Sequence, residues 1–257
     1  MAELKALIFD VDGTLADTER DGHRVAFNKA FADTGLDWDW SVEIYGDLLS
    51  VTGGKERIRY YLNKYRPDFS VDGDLDVYIA ELHAAKTEHY KALMVDPGLP
   101  LRPGVKRLLD EAREAGLRLA IATTTTPANV TALLKNSLAD DAEDWFEVIA
   151  AGDIVPAKKP APDIYLWAME QLKLPAENCL ALEDSDNGVR SVTGSGIRSL
   201  LVTVNDYTRD HDFSGATVVV DHLGEPGKPC SVLDGPDLVD GLVNIESLKA
   251  IHEHASR

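Results

Sequence analysis

Four acidic residues stand in two close pairs, each directly after a short apolar run. Asp10 and Asp12 follow one run, and Glu183 and Asp184 follow another. Carboxylates at a buried strand end are unfavourable unless an opposite charge offsets them. Mg²⁺ prefers oxygen ligands and is often held by one or two carboxylates together with a substrate phosphate. Either pair alone also fits an ordinary acidic turn, but together they predict a magnesium site built from these four acids.

Phosphoryl transfer is the chemistry that this set of side chains fits. A carboxylate can attack phosphorus and form an aspartyl-phosphate, which splits one displacement into two. We predict that Asp10 is the nucleophile and that Asp12 protonates the leaving alkoxide and then activates water. Charge on the transferring oxygens requires fixed donors. The predicted donors are the Thr123 hydroxyl, the backbone N–H groups of Val11, Asp12 and Thr124, and the Lys159 ammonium.

Two of these donors have an alternative interpretation. Lys158 and Lys159 also fit a pair of solvated surface lysines, and we favour Lys159 because the following Pro160 constrains the local backbone. The threonine run also fits a strand exit that leads into a helix, with Thr126 as the N-cap before Pro127. The catalytic and the structural interpretation can hold together for different threonines.

A positive patch in the first half of the chain is the candidate surface for reading the substrate. Lys55 and Arg57 follow the Gly53-Gly54 pair at the start of a predicted helix. Arginine suits a bidentate contact with phosphate, and a helix N-terminus favours an anion. We predict that Gly54, Lys55 and Arg57 contact a second phosphate or the sugar oxygens of the substrate. The alternative is a solvated helix face shared with Arg59.

The same region carries five further candidates. Glu19 and Tyr45 are predicted to face the substrate. His23, His83 and His89 are interpreted instead as residues of helix faces, not as ligands.

The elements that position these side chains alternate between strand and helix. Short apolar runs are typical of strands buried on both faces of a parallel sheet, and amphipathic stretches separate them. This alternation predicts an α/β fold with a doubly wound parallel sheet, in which ligands bind outside the carboxyl ends of the strands. The predicted strands are 6–9, 119–122, 148–151, 180–182 and 200–202, and the predicted helices are 105–115, 127–138, 162–172 and 187–194.

The stretch from about residue 18 to about residue 93 differs, because its pattern is helical almost throughout. We therefore predict an all-helical cap domain, residues 17–96, inserted into a core domain formed by residues 1–16 and 97–257. The segment Pro97-Gly98-Leu99-Pro100 marks the return to the core. The two crossings, near Asp17 and Asp96, predict a hinge, and closure of the cap would exclude water from the site.

The composition of the chain restricts the classes of partner that it can bind. The chain has 257 residues, 44% of them apolar, and a formal net charge of −18. So acidic a surface argues against nucleic acid and against an anionic membrane. The two cysteines are too few for a disulfide framework, and the apolar run near the N-terminus is too short for a signal peptide or a membrane span. We expect a cytoplasmic monomer that binds a small phosphorylated metabolite.

Four separated motifs resemble those of the haloacid dehalogenase superfamily. They are Asp10–Thr14, Thr123 after its apolar run, Lys159–Asp163 and Glu183–Gly188. The resemblance extends over nearly the whole chain. It implies a Rossmann-like core, Mg²⁺, an aspartyl-phosphate intermediate and a cap domain inserted just after the first motif.

Four further stretches are similar to the β-phosphoglucomutase-like branch and, within it, to the CbbY-type sugar-phosphate phosphatases. They are Asp17-Thr18-Glu19 followed by His23-Arg24, Thr52–Arg57, Ala150–Asp153 and Val204–Thr208. This resemblance implies action on pentulose bisphosphates, notably xylulose 1,5-bisphosphate.

Two other functions stay open from the sequence. One is a hexose-phosphate mutase, although mutase relatives carry a cap histidine at a set distance from the first motif and Asp21-Gly22 makes that stretch one residue longer. The other is a non-catalytic metabolite-binding or regulatory module, similar to receiver domains in its acidic pocket. The second acid, Asp12, and the large insert argue against a receiver.

Overall fold

The chain folds into two compact units. A computed structural model describes residues 2–51, 54–96 and 98–256. The core unit contains the chain up to Asp17 and from Pro100 onward, and the helical unit is Thr18–Leu99. The predicted domain boundaries lie one and three residues earlier than these two crossings. Of the segments named in the sequence, Thr52, Gly53 and Pro97 lie outside the described residues.

The core unit is built on one seven-stranded sheet, with strand order β3-β2-β1-β4-β5-β6-β7. All neighbouring strands are parallel except β6 and β7, which pair antiparallel. The order runs in opposite directions on the two sides of β1, as the predicted doubly wound sheet requires. The strands are β1 Ala6–Phe9, β2 Arg118–Thr123, β3 Val148–Ala151, β4 Cys179–Glu183, β5 Ser199–Thr203, β6 Val218–Val220 and β7 Val232–Asp234.

The central strands are buried on both faces, which is why they read as uninterrupted apolar runs. Every residue of β1, β4 and β5 is buried. Helices cover the sheet and supply the rest of the core. In the core unit they are α5 Val105–Glu114, α6 Pro127–Ser137, α7 Asp163–Leu172, α8 Asp186–Gly194 and α9 Ile245–Ala255, and those of the helical unit are α1 Arg24–Asp33, α2 Val42–Leu48, α3 Gly54–Tyr65 and α4 Leu75–Val95.

Helix α6 begins as the threonine run predicts. The Thr126 side chain accepts a hydrogen bond from the backbone N–H of Asn129, and Pro127 occupies the first helical turn. The cap satisfies one of the N–H groups that a helix N-terminus leaves without an intrahelical partner. Thr126 is therefore structural, which separates its role from that of Thr123.

In the helical unit, the regular structure of the described residues is entirely helical, as predicted. A π-helical turn, Thr18–His23, leads directly into α1. The unit has an aromatic core, in which Phe27, Trp40 and Tyr45 lie within 4.5 to 6.3 Å of one another, centroid to centroid.

Among the described residues of the whole chain, no helix combines the length and apolarity that a membrane crossing needs.

Candidate active site

Three acids meet at the carboxyl ends of two neighbouring strands. Strands β1 and β4 pair with Phe9 opposite Leu182, so Asp10 and Glu183 come next to each other at the edge of the sheet. The Asp10 N–H donates to the Leu182 carbonyl at 3.0 Å, which extends the pairing to the nucleophile candidate. Carboxylate oxygens of Asp10, Glu183 and Asp184 all lie within 4.8 Å of one another.

The three carboxylates are almost completely withdrawn from solvent. Asp10 is 6% exposed, Glu183 0% and Asp184 8%. Burial raises the pKa of Asp10 well above its usual value; the Lys159 charge opposes the rise, and the charges of Glu183 and Asp184 add to it. Burial also raises the pKa of Asp184, to about 7, and the Glu183 charge contributes. The fold therefore holds like charges together where water does not screen them.

Lys159 is the cation that contacts this group. Its Nζ donates to Asp10 Oδ1 at 2.6 Å and to Glu183 Oε1 at 2.6 Å. Burial lowers the pKa of Lys159, but the two carboxylates outweigh burial and hold that pKa above its usual value. Lys158, the other member of the predicted pair, lies at the surface and pairs with Asp153 at 2.8 Å. Of the two lysines, the structure brings only Lys159 into the cluster.

The acidic cluster fits a hard divalent cation. One ammonium faces three carboxylates, and the donor set consists of oxygen atoms, which is what Mg²⁺ and Ca²⁺ prefer. The Asp12 carboxylate is not a member of the cluster that the described residues form, and Asp12 is half-buried. Its predicted role as a metal ligand stays a prediction, as does its role as acid and base.

The turn after Asp12 requires glycine for two reasons. Gly13 has a φ of +87°, in the left-handed region that favours glycine. A Cβ at this position would lie 2.2 Å from Asp184 Oδ2 and 2.7 Å from Asn205 Nδ2. The absence of a side chain at Gly13 lets the first motif approach the fourth closely enough to share one site.

Thr123 ends β2 on the other side of β1. The register pairs Phe9 with Ile121, so Thr123 reaches the same edge of the sheet as Asp10. Thr123 is buried, and its hydroxyl accepts a hydrogen bond from the Thr125 N–H at 3.3 Å. Thr124 is exposed in the bend that follows. The placement is compatible with phosphate binding, and the donor roles of both residues stay predictions.

In the helical unit, the structure brings together three of the five predicted substrate contacts. The Tyr45 hydroxyl donates to Glu19 Oε2 at 2.6 Å, and Arg57 Nη1 lies 3.0 Å from the Tyr45 hydroxyl and 3.5 Å from Glu19 Oε2. Gly54 begins α3 and Lys55 is exposed on it. Whether these residues contact substrate stays a prediction. Gly53, the other half of the predicted helix start, lies outside the described residues.

The other polar residues of this unit divide into surface and buried groups. Arg59 is exposed and pairs with Asp76, so it faces away from the Arg57 cluster. His23 is half-buried, stacks on Tyr90 at 4.0 Å between centroids, and places Nδ1 2.7 Å from Lys86 Nζ. Lys86, only 7% exposed, was not anticipated from the sequence.

Three residues of the core unit that support the site were also missed. The Tyr165 hydroxyl donates to Glu183 Oε1, Asn205 Nδ2 donates to Asp184 Oδ2 at 2.7 Å, and the Arg102 guanidinium donates to the Gly13 carbonyl. For Asn205, the only signal in the sequence was its place in the stretch that resembles CbbY-type proteins. For Arg102, the signal was a cation in a short apolar segment of a very acidic chain.

Comparison with known proteins identifies the class to which this fold and site belong. A model of the haloacid dehalogenase-like hydrolase family matches residues 4–196. The chain belongs to the haloacid dehalogenase-like hydrolase family, and it is an enzyme of the phosphatase type. The predicted Rossmann-like core with an inserted helical cap is confirmed by this family and by its solved structures.

Within that family, the chain is most usefully compared with proteins named CbbY. It is 54% identical to CbbY of Rhodobacter capsulatus over 83% of this chain and 91% of the relative. It is 49% identical to the plasmid CbbY of Cupriavidus necator, over 88% of each chain. Crystal structures of CbbY from Rhodobacter sphaeroides, one with phosphate and one of a mutant with xylulose 1,5-bisphosphate, are 47% identical, with a TM-score of 0.69 over 85% of this chain and 94% of that one.

Proposed function

We propose that the chain is a Mg²⁺-dependent phosphatase that hydrolyses a sugar phosphate through an aspartyl-phosphate, with xylulose 1,5-bisphosphate as the candidate substrate. The observation that carries the proposal is the cluster of Asp10, Glu183 and Asp184 with Lys159 at the carboxyl ends of β1 and β4. The substrate is suggested by the CbbY structure that contains this bisphosphate.

The reaction proceeds in two steps that use Asp10 of the cluster and Asp12, two residues further along the chain. In the first, an Asp10 oxygen attacks phosphorus, the bond from phosphorus to the sugar oxygen breaks, and Asp12 gives its proton to the leaving alkoxide. In the second, the Asp12 carboxylate takes a proton from water, the water oxygen bonds to phosphorus, and the acyl phosphate bond breaks to return Asp10. Phosphate leaves, and both acids regain their starting protonation.

The other residues provide charge and orientation. Bound Mg²⁺ supplies positive charge to the transferring oxygens, and Asp10, Glu183 and Asp184 are the residues that would hold it. Lys159 holds Asp10 and Glu183 by direct hydrogen bonds, which fixes the orientation of the nucleophile. The Thr123 hydroxyl and the Thr124 N–H donate to the same phosphoryl group.

The test is phosphate release from xylulose 1,5-bisphosphate by the wild type and by Asp10→Asn, with Mg²⁺ and with EDTA. Loss of the nucleophile should lower kcat by at least about 10³-fold, and EDTA should abolish turnover. The matched control is Asp153→Asn, which removes an exposed acid whose partner is the surface residue Lys158. Wild-type turnover by Asp10→Asn would refute the mechanism.

Two rival functions give different products. A mutase would convert a glucose 1-phosphate isomer into glucose 6-phosphate with little free phosphate, whereas the phosphatase releases phosphate. A binding module would turn over none of a panel of phosphorylated sugars with Mg²⁺. Either result would replace the proposal.

The helical unit supplies the proposed contact with the remainder of the substrate. Arg57 is held by Tyr45, by Glu19 and by the Val51 carbonyl, to which Nε donates at 3.0 Å. A guanidinium ordered in this way loses little further freedom when it binds an anion. Arg57→Ala should raise KM for the bisphosphate far more than KM for p-nitrophenyl phosphate. Arg59→Ala, on the same helix but paired with Asp76, is the control, and equal effects of Arg57→Ala on both substrates would refute the contact.

A further inference from the structure

Arg102 is a buried cation that the mechanism above does not use. It lies between the end of the helical unit and α5, and it is 8% exposed. Burial of a guanidinium is costly unless its donors are satisfied. The hydrogen-bond partners of the Arg102 guanidinium therefore indicate which segments this residue holds together.

The first set of partners belongs to the first motif. The Arg102 side chain donates to the Gly13 carbonyl, and its Nε lies 3.4 Å from the Asp17 carboxylate. The Arg102 backbone N–H also donates to the Leu15 carbonyl at 2.9 Å. Main chain and side chain together therefore fix the turn that carries Asp12.

The second set of partners belongs to the ends of β5 and β6. The guanidinium donates to the carbonyls of Val204 and, at 3.0 Å, Asp221, and also to Thr203 Oγ1 at 3.1 Å. Val204 directly precedes Asn205, whose side-chain amide donates to Asp184 Oδ2 at 2.7 Å. Arg102 therefore reaches the acidic cluster from two sides, through Gly13 and through Asn205.

We propose that Arg102 is a positioning residue that holds the Gly13 turn and the Val204–Asn205 turn in one arrangement, and thereby fixes Asp12 and Asp184 in the site. A guanidinium suits this task because it carries five N–H donors in a rigid plane, whereas an ammonium carries three on a flexible stem. The substitution of lysine keeps the charge and loses the geometry. The inference rests on the proposed function for both readouts, because the Mg²⁺ site and the turnover both belong to that function.

The chain offers a matched control on the neighbouring helix. Arg107 is also mostly buried, and its Nη2 donates to the carbonyls of Leu223 at 3.0 Å, Gly224 at 2.9 Å and Val243 at 3.0 Å. These carbonyls belong to the segment after β6, away from the first motif. Arg107→Lys thus removes the same kind of carbonyl clamp without touching the turn at Gly13.

The experiment compares Arg102→Lys, Arg107→Lys and Asn205→Ala by Mg²⁺ calorimetry, by kcat and KM, and by melting temperature. Loss of a residue that orients a ligand typically costs about 10–100-fold in metal affinity or activity. Arg102→Lys should weaken Mg²⁺ binding and lower kcat by that factor, with KM for the sugar phosphate little changed. Arg107→Lys should lower the melting temperature and leave Mg²⁺ affinity and kcat within about twofold.

The double variant tests whether Arg102 acts through Asn205. If it does, the losses in Mg²⁺ affinity from Arg102→Lys and Asn205→Ala will be less than additive when combined. Unchanged Mg²⁺ affinity in Arg102→Lys, or losses that merely follow the melting temperature as in Arg107→Lys, would overturn the inference. If Arg102→Lys fails to fold, Asn205→Ala decides alone, and normal Mg²⁺ affinity in it would equally overturn the inference. A wild type that binds no Mg²⁺ or releases no phosphate would refute the proposed function. A wild type that does both, beside an Arg102→Lys variant with unchanged Mg²⁺ affinity, would refute this inference alone.

Discussion

At the residue scale, the site depends on one lysine that compensates buried acids. Lys159 contacts Asp10 and Glu183 at 2.6 Å each and is itself almost wholly buried. A buried ion pair adds little net stability relative to apolar packing, yet removal of one partner is costly because the other charge is left uncompensated. Lys159 should therefore matter for folding as well as for catalysis.

Lys159→Met is expected to lower the free energy of unfolding by about 3–5 kcal/mol in EDTA, because Asp10 and Glu183 lose their common partner. It should also lower kcat by at least about 10²-fold, since the transferring charge loses a fixed donor. Urea denaturation and steady-state kinetics measure the two effects. Lys158 is exposed and pairs with Asp153, so Lys158→Met should change stability by less than about 0.5 kcal/mol. Similar losses in the two variants would contradict this assignment.

The surroundings of His23 in the helical unit disfavour the protonated form of its ring. Burial is the main cause that lowers its pKa to about 4, and Lys86 and Arg57 act in the same direction while Glu19 opposes them. The Lys86 ammonium has only donors, so His23 Nδ1 must accept and the ring is neutral with its proton on Nε2. The stacked Tyr90 ring completes the enclosure.

This histidine should make stability depend on pH in a defined window. Between pH 4 and its usual pKa near 6.5, the unfolded chain binds a proton at His23 that the folded chain does not. Stability therefore rises with pH across the window and is lost as pH falls through it. The wild type should lose more melting temperature between pH 7 and pH 5 than His23→Gln, which has no such proton to bind. Equal losses in melting temperature would contradict this account.

The role of a residue could be predicted where its reactive side chain stands at the end of a strand. It could not be predicted where the role depends on a partner distant in sequence. Asp10 and Glu183 could be placed together because each directly follows or ends a recognisable strand. Arg102, Tyr165 and Asn205 act on partners 89, 18 and 21 residues away, respectively. Their polar atoms find these partners only in the tertiary fold, and no pattern in the local sequence predicts the contacts.

At the element scale, the strands that were predicted have a clear local sequence pattern, and the strands that were missed do not. Strands β1 to β5 each contain a continuous apolar run, and all of their residues are buried except Arg118 and Ile149, which are half-buried. Strands β6 and β7 have only three residues each, and the edge strand β7 is mostly exposed, with Leu233 54% exposed. Neither the length nor the pattern of these two distinguishes them from loop. Helix α9 was missed with them, in the region beyond the motifs.

The π-helical turn offers a place for the additional residue that the sequence analysis assigned to the Asp21-Gly22 stretch. A π-turn holds one residue more than an α-turn, so Asp21-Gly22 is accommodated within Thr18–His23 and α1 continues without a break. The turn also depends on glycine. A Cβ on Gly22 would lie 2.9 Å from the Tyr90 ring and 3.0 Å from Leu99 Cδ1.

Two glycines of α8 provide an element-scale test, because both are helical and only one touches the site. A Cβ on Gly188 would lie 1.9 Å from Glu183 Oε2, whereas the nearest atom to a Cβ on Gly194 is 3.4 Å away, in Pro162. Gly188→Ala should displace Glu183 and weaken Mg²⁺ binding by about 10–100-fold. Gly194→Ala should bind Mg²⁺ normally and gain about 0.5–1 kcal/mol of stability from the lost freedom of the unfolded chain. Calorimetry with Mg²⁺ and denaturant melts measure both, and normal Mg²⁺ affinity in Gly188→Ala would remove the steric argument.

At the scale of the whole molecule, charge opposes the proposed substrate. Against 26 lysines and arginines stand 44 acids, a net charge of −18, and such a field repels a phosphorylated sugar. The fold adds to this by burying three acids at one point. Mg²⁺ bound there would offset the negative charge of the cluster, and it would stabilise the folded chain, since the unfolded chain has no such cluster.

Stabilisation by Mg²⁺ should therefore depend on Asp184 and not on the acidic surface. Ligand binding to the folded state alone contributes about 2.7 kcal/mol at a concentration of 100 times Kd, so the melting temperature should rise with Mg²⁺ and fall with EDTA. Asp184→Asn keeps an oxygen that can accept from Asn205 and removes one of three crowded charges. In EDTA it should be at least as stable as the wild type, and with Mg²⁺ it should gain far less.

The acidic surface itself could also collect Mg²⁺, so the comparison needs a variant that changes the surface alone. Asp153→Asn removes an exposed acid whose side chain is 88% accessible, and it makes the formal net charge less negative by the same amount as Asp184→Asn. Asp153→Asn should keep the full rise in melting temperature with Mg²⁺, measured at constant ionic strength. If the melting temperatures of the wild type, Asp184→Asn and Asp153→Asn rose equally with Mg²⁺, the stabilisation would come from the acidic surface. That result would refute the buried cluster as the metal site.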